Sequence, residues 1–269
     1  MNEMPPPLQL RSTVLAAALD RLPAGFPDPE ALPAAAGPYS AEVGKLDTLL
    51  REVTAKQWHT TVLGELTTQQ LIEHLSGNDA KVAAALRVDV PVTADGRSRP
   101  KLAHHLWRDL AFGLLRHAVY APLTGRIEVD GLSMPVQNAY LSRAFETWIH
   151  ADDIRSAIGR PTDPPNPAHL RALADLHIRS LPTALRLSGR TVPDRTAQVR
   201  LTGAFTHEWR IPLSRNGSAE PAVTITADAL EFCYLAANRR APGTVRVTVT
   251  GDHTIADDLL AVMTYFSDE

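Results

Sequence analysis

The chain has 269 residues, a formal net charge of −3 and a pI near 6.4, so it has no basic field that would favour nucleic acid or an anionic membrane. Apolar residues make up 44% and charged residues 21%, which is typical of a soluble globular protein. No apolar run approaches a membrane span, and the N-terminus lacks a secretory pattern, so we expect a cytoplasmic protein. The single cysteine, Cys233, excludes an internal disulfide and any multi-cysteine metal site.

The composition of residues 1–40 predicts an extension or linker that is not part of a core. A short helix fits Leu10–Leu22, but the passage LPAGFPDPEALPAAAGP, which begins at Leu22, cannot continue it. Two interpretations stay open for this stretch. It is either a disordered tail or a docking segment through which a protein partner binds.

Helical periodicity dominates residues 41–162 and predicts a four-helix bundle. Thr67 followed by Gln70 matches a capping box, which places a helix start at Thr68. Bundles of this kind build metal sites from inward side chains on facing helices. The four expected helices run from about Tyr39 to Val53, from Thr68 to about Leu86, from Lys101 to Tyr120, and from about Ser133 to Gly159.

The stretch RPTDPPNP, at 160–167, is the clearest break in the chain. Its four prolines stop any helix and mark a domain boundary or hinge. After a further helix at about Ala168–Arg186, four segments alternate between apolar and polar residues: AQVRLTGAF, HEWRIPL, AVTITA and TVRVTVTG. With two more helical segments, this pattern predicts that residues 163–269 form a small α+β domain with a mostly antiparallel sheet.

The fourth bundle helix carries a polar column made of Arg143, Glu146, His150 and Asp153. These residues are three, four and three positions apart, so their side chains lie over one another on a helix. A carboxylate and an imidazole one turn apart can hold one divalent metal ion, although a surface pair along the helix is the alternative. We expect Asp153 to orient His150 only indirectly, because both lie on one helix; an ion pair of Asp153 with Arg155 or Arg143 is the alternative.

His74, in the middle of the second bundle helix, is the candidate third ligand. Alone it is typical of a hydrogen-bonded core histidine. Together, His74, Glu146 and His150 provide two imidazoles and one carboxylate, a catalytic zinc ligand set that leaves a position for water or substrate.

The segment ETWIHADDIRSAIGRP at 146–161, with LIEHLSGND upstream at 71–79, resembles the mycothiol-dependent maleylpyruvate isomerase family. The stretch LAANRRAPGTVRVTVTGDHTIADDLLAVM extends the resemblance to most of residues 41–269. The resemblance implies a DinB-like four-helix bundle followed by a small α+β domain related to sterol-carrier folds.

The same resemblance implies roles for individual residues. The family's metal ligands fall on His74, Glu146 and His150, and its arginine near the site matches Arg239 best and Arg240 next. The family's usual glycine before that arginine is replaced here by Asn238. We therefore predict a catalytic role for Arg239 and assign Arg240 and Asp153 to cofactor binding. For both arginines the alternative is a solvated helix end, where cations favour the helix dipole.

The predicted function is a metal-dependent enzyme, with zinc or another divalent cation, that activates mycothiol for isomerisation or S-transfer on a small electrophile. Because Cys233 falls in an apolar helix, the reacting thiol must come from a bound small molecule. Arg239 would hold a substrate carboxylate, and since it belongs to the second domain, the cleft would be the groove between the domains.

Two alternatives come from other functional classes. Residues 5–50 resemble the linker region of actinobacterial anti-sigma regulators that carry this bundle, although no zinc-binding anti-sigma motif is present. The chain would then be a non-catalytic regulator or sensor. A lipid- or small-molecule-binding module is the third option; it depends only on the sterol-carrier-like tail, and fold analogy is a weak argument for function.

Overall fold

The computed structural model describes residues 26–89, 100–190 and 194–266. Within these ranges the chain combines helices with a mostly antiparallel sheet, which confirms the predicted α+β class. The helices are α1 Gly37–Glu52, α2 Thr68–Leu86, α3 Pro100–Tyr120, α4 Val136–Ala157, α5 Pro167–Leu187, α6 Ala229–Ala236 and α7 His253–Ala261. The strands are β1 Thr61–Leu63, β2 Leu66–Thr67, β3 Arg126–Val129, β4 Leu132–Pro135, β5 Thr196–Thr202, β6 His207–Pro212, β7 Pro221–Asp228 and β8 Val247–Gly251.

Helices α1 to α4 form the bundle, in which α1 packs on α4 and α2 packs on α3. The predicted capping box starts α2: Gln70 N donates to Thr67 Oγ1, and Thr67 N donates to Gln70 Oε1. Large aromatic side chains fill the core, and burying each of them stabilises the fold by roughly 1.5–3 kcal/mol. The largest fully buried ones are Trp107, Trp148, Tyr39 and Tyr140.

Helix α4 is the central element of the molecule, because it packs against α1, α2 and α5. It therefore buries polar residues as well as apolar ones: Arg143, Thr147, His150 and Asp152. A helix surrounded in this way cannot leave its polar column on a solvated face, so the column predicted from the sequence lies inside the molecule. Every buried polar group of that column then needs a partner.

A β-hairpin precedes α4, and its second strand occupies the place where an earlier helix start was predicted. Strands β3 and β4 pair antiparallel around Asp130 and Gly131, which have φ values of 50° and 77°. Two positive φ values in a two-residue loop define the turn typical of tight hairpins, and the Asp-Gly pair is its sequence signal. The helix therefore begins at Val136 and not at Ser133.

The C-terminal sheet has the strand order β6-β5-β7-β8. Its β5–β6 and β7–β8 pairs are antiparallel, and only the central β5–β7 pair is parallel. Helices α5 and α6 pack on each other, and α5 also packs on α4, so the sheet domain is joined to the bundle through helices. The predicted limits of 41–162 and 163–269 for the two domains stay a prediction.

Some expectations lie outside the described ranges. The short helix predicted at Leu10–Leu22 falls in the part of the chain that is not described. The expectation that residues 1–40 lie outside a core was wrong for the end of that stretch, because Ala36 and Tyr39 are fully buried in the core. Among the helices that are described, none is long and apolar enough to span a bilayer.

Candidate metal centre and the adjoining cavity

Helices α2 and α4 bring His74, Glu146 and His150 together. Each offers one donor atom, and these atoms all lie within 4.8 Å of one another; the two imidazole centroids are 5.4 Å apart. Ligand atoms on a tetrahedral zinc ion lie about 3.3 Å apart, given Zn–N bonds of about 2.0 Å. Small side-chain rotations are therefore enough to close this group around one cation, and the donor set fits a divalent metal ion.

Glu146 is held in place through one of its two carboxylate oxygens. Its Oε2 accepts from Arg143 Nη1 at 2.6 Å and from Asn78 Nδ2 at 3.0 Å. Burial by itself would raise the pKa of the Glu146 carboxyl, but the Arg143 charge and these hydrogen bonds hold that pKa below its usual value. Glu146 is thus kept ionised, as a metal ligand must be.

A buried chain of polar groups continues behind Glu146. Arg143 is 3% exposed, and its Nε donates to Asp79 Oδ1 at 2.6 Å. Asp79 Oδ2 in turn accepts from Tyr39 Oη at 2.9 Å. The Arg143 charge therefore lies between two carboxylates, which offsets the cost of burying it.

His150 is oriented by a carboxylate one turn away. Its Nδ1 lies 3.0 Å from Asp153 Oδ2, so Nδ1 carries the proton and Nε2 is left to bind a cation. The expectation that Asp153 acts only indirectly was wrong, because a spacing of three residues lets the short side chain reach back over the helix. The alternative ion pairs of Asp153 with Arg155 and Arg143 are not formed either; Arg155 pairs with Asp163.

The partner of Asp153 is Arg239, from the C-terminal domain. Arg239 Nε donates to Asp153 Oδ1 at 2.9 Å and Nη2 donates to Oδ2 at 2.8 Å, which is a bidentate pair. Burial would raise the pKa of the Asp153 carboxyl, but hydrogen bonds from His150 and Arg239 lower it below its usual value. Asp153 therefore links a candidate metal ligand on the bundle to an arginine of the other domain.

The backbone at the C-terminal end of α6 explains how Arg239 is positioned. Asn238 adopts the left-handed conformation with φ 57°, and its N–H bonds to Leu235 O while Arg239 N bonds to Tyr234 O. This pattern is a Schellman motif, whose left-handed position favours glycine and accepts asparagine next. Asn238 therefore forms the turn that points Arg239 at Asp153, although it is not the glycine that this position favours.

Arg240 points elsewhere. Its Nε bonds to Glu231 Oε2 at 3.1 Å, and its guanidinium lies 5.0 Å from the centre of the Tyr234 ring. Its side chain is 44% exposed and is not part of the cavity wall next to the metal centre. These contacts match the solvated helix end that the sequence analysis left open as an alternative.

A cavity of about 330 Å³ adjoins the metal centre, a size suited to a small molecule. Its walls come from the β3–β4 hairpin, α4, α5 and the end of α6, so it lies between the bundle helix α4 and the helices that follow it in the chain. The residues that matter for its chemistry are Arg126, Glu146, His150, His177, Arg179 and Arg239.

Cys233 contributes nothing to this cavity. It is 0% exposed, and burial raises the pKa of its thiol well above the usual value. A reactive cysteine requires the opposite environment. Any sulfur nucleophile at the metal centre must therefore be brought in by another molecule.

Tyr39, Asn78 and Asp79 are the residues that the sequence analysis missed. Asn78 and Asp79 follow His74 by four and five positions in LIEHLSGND, so helical spacing alone carries a signal for them. Tyr39 comes from α1 and gave no local signal. Its role depends on packing between α1, α2 and α4.

Comparison of the sequence with known proteins finds relatives but no family model. No protein-family model matches the chain. It is 30% identical over 149 residues to uncharacterized proteins from two strains of Mycobacterium tuberculosis, and the match covers 54% of this chain. The chain spans about half the length of these curated relatives, since 54% of each is covered.

Among solved structures, the chain is similar to a mycothiol-dependent maleylpyruvate isomerase. The TM-score is 0.52 at 17% sequence identity, and the match covers 84% of this chain and 96% of the other. The resemblance found in the sequence is therefore confirmed at the level of the fold, which is similar to that of the isomerase.

Proposed function

We propose that this protein is a metal-dependent enzyme that activates a small thiol, mycothiol in the first instance, for isomerisation or S-transfer on a small electrophile. One observation carries the proposal: His74, Glu146 and His150 converge on one point at the wall of a cavity that Arg239 also lines. Two imidazoles and a carboxylate leave a coordination position open, and the cavity offers space for the ligand that would fill it.

A zinc ion, or another divalent cation held by these three residues, supplies the means to keep a bound thiol as its thiolate at neutral pH. The chain's own contribution is orientation. Asp153 fixes the tautomer of His150, and the buried Arg143 and Asn78 hold Glu146 by one oxygen. Such supporting contacts are worth about 10- to 100-fold in metal affinity.

Mycothiol is proposed as the thiol on the strength of the shared fold. The similar structure is described as mycothiol-dependent, and the only cysteine here is buried and cannot serve. The cavity between the domains is where the thiol and the electrophile would meet, since it reaches both His150 and Arg239.

Arg239 is proposed as the catalytic residue that holds an oxygen of the electrophile. The described contacts use three of its five N–H donors, two on Asp153 and one on Ala237 O. The remaining two can donate to an oxygen of the electrophile, which would gain negative charge when the thiolate sulfur adds to the neighbouring carbon. A guanidinium already fixed by Asp153 loses little freedom when it does so.

The metal content of the purified protein tests this proposal directly. We expect about one equivalent of zinc or a similar cation in the wild type and its loss in His150→Ala. Because His59 is an exposed histidine and is not one of the three grouped donors, His59→Ala is the control and should keep the metal. Thiol transfer from mycothiol to an electrophile should then follow the metal content. A metal-free wild type would refute the proposal.

A further inference from the structure

Three arginines line the cavity, but two of them are already neutralised. Arg239 is paired with Asp153, and Arg179 Nε lies 2.8 and 2.7 Å from the two oxygens of Asp175. Arg126 is different, because it forms no ion pair with a carboxylate of the described residues. Arg126 is exposed, and of the three it is the arginine whose charge is not paired with a carboxylate among the described residues.

The Arg126 guanidinium is nevertheless held in a defined position. Its Nε donates to Ser133 Oγ at 3.0 Å and its Nη2 donates to Ser133 O at 2.7 Å, across the β3–β4 hairpin. Both acceptors are uncharged, so these bonds fix the orientation of the group without cancelling its charge. A guanidinium held in this way is prepared for a planar anion at its remaining donors.

The cavity that Arg126 lines also has apolar side chains in its wall. Leu132 and Phe266, which are 41% and 37% exposed, lie among the cavity-lining residues. Exposed apolar side chains beside a cavity favour a ligand with an apolar body. The other apolar residues of the wall are Met134, Pro135, Phe145, Ile149, Leu176 and Ala237.

We propose that Arg126 is the specificity-determining residue of this site and binds the carboxylate of an electrophile whose body is otherwise apolar. The inference rests on the proposed function for the reaction, but the binding of the acid does not depend on the metal ion. Arg126 and Arg239 would then have different roles, because only Arg239 is paired with a carboxylate. Arg126, which is unbalanced, binds a permanent anion, whereas Arg239, balanced by Asp153, receives an oxygen that becomes charged only during reaction.

Calorimetric binding of trans-cinnamate and of its neutral counterpart cinnamide tests the proposal on the intact protein. We expect the wild type to bind the acid roughly tenfold or more tightly than the amide, as a charge-assisted pair requires. Arg126→Gln should bring the acid down to the level of the amide, while binding of the amide stays the same. Arg210→Gln removes an exposed strand arginine away from the cavity, and should keep the wild-type preference.

Repeating the titrations after chelation separates this proposal from the metal proposal. A preference for the acid that survives chelation and disappears in Arg126→Gln supports Arg126, even if no metal is ever found. A preference that disappears on chelation and survives in Arg126→Gln places the carboxylate on the cation and overturns the assignment. A wild type that does not prefer the acid, or does not bind it, overturns it as well.

Arg126→Lys covers the case in which Arg126→Gln disturbs the hairpin. If Arg126→Gln also weakens the binding of cinnamide, the substitution has disturbed the cavity wall. The Arg126→Lys variant then tests the role of Arg126. It keeps the cation but not the planar fork, so we expect it to retain part of the preference for the acid. A folded Arg126→Lys that binds the amide normally and has no preference left would contradict the proposal.

Discussion

Two histidine–carboxylate pairs with buried imidazoles occur among the described residues of the bundle, and the His150–Asp153 pair adjoins the cavity described above. His150 Nδ1 lies 3.0 Å from Asp153, and His104 Nε2 lies 2.7 Å from Asp47. By distance and burial the two pairs look alike, since His150 is 4% and His104 8% exposed. They differ in what surrounds the other face of the imidazole.

The imidazole of His104 is enclosed by rings. It stacks against Trp107 and His105, and no third donor joins it and Asp47 among the described residues. His150 instead meets two further donors and a cavity wall. The comparison shows that a histidine–carboxylate pair does not define a site by itself; the third donor and the adjoining space do.

The largest expected effect concerns two arginines near these pairs: Arg143, which contacts the candidate ligand Glu146, and Arg51, which contacts Asp47. Arg143, on the metal side, has a side chain that is 4% exposed, whereas Arg51, which pairs with Asp47, has one that is 44% exposed. Arg143→Met leaves Asp79 and Glu146 buried without their cation, so we expect the free energy of unfolding to fall by about 3–5 kcal/mol. Arg51→Met should cost about 1 kcal/mol or less. Urea unfolding of both variants checks this, and equal losses would break the comparison.

Local sequence was enough to predict the three metal ligands, through the spacing of Glu146 and His150 on α4 and the family resemblance that added His74. It was not enough to find the support of those donors. Asp153 meets Arg239 across 86 positions of sequence, and such a contact depends on how two domains dock. The β3–β4 hairpin, which carries Arg126, was missed although Asp130 and Gly131 signalled its turn, since the flanking strands are only four residues each.

The regulatory alternative cannot be compared in the same way. It depends on residues 5–50, and the first part of that stretch lies outside the described ranges. It therefore stays a prediction, as does the possible protein partner of residues 1–40.

A third histidine, His177, lies partly buried in the cavity wall and sharpens the comparison, because no carboxylate of the described residues pairs with it. Burial lowers its pKa from the usual 6.5 to about 4, and its Nε2 has no hydrogen-bond partner among the described residues. Between these two pH values the unfolded chain binds this proton and the folded chain does not, so stability falls as the pH drops from about 6.5 to 4, by up to about 3 kcal/mol. Urea unfolding at pH 7 and pH 4.5 should show this loss, and His177→Gln should reduce it. An unchanged pH dependence in the variant would show that His177 is not its source.

The two carboxylates should differ in their effect on metal binding. Asp153→Asn weakens the acceptor for His150 Nδ1 and for Arg239, so we expect a 10- to 100-fold lower metal affinity. Asp47→Asn is the matched change at the other pair and should lower stability without changing metal affinity. Competition with a chromophoric chelator measures both affinities in folded protein. Equal effects of the two substitutions would mean that Asp153 supports only the fold.

The smallest effect is expected at Arg240, whose side chain points away from that of its neighbour Arg239. Arg240 pairs with Glu231 and lies over the Tyr234 ring at a half-exposed position, so Arg240→Ala should change stability by about 0.5 kcal/mol or less. Because its side chain does not line the cavity, metal content and thiol transfer should stay at wild-type levels. Arg239→Ala, one residue away, should keep the metal and lose most of the thiol transfer. A large loss of thiol transfer in Arg240→Ala with normal unfolding would show that Arg240, and not Arg239, turns towards the electrophile when the thiol is bound.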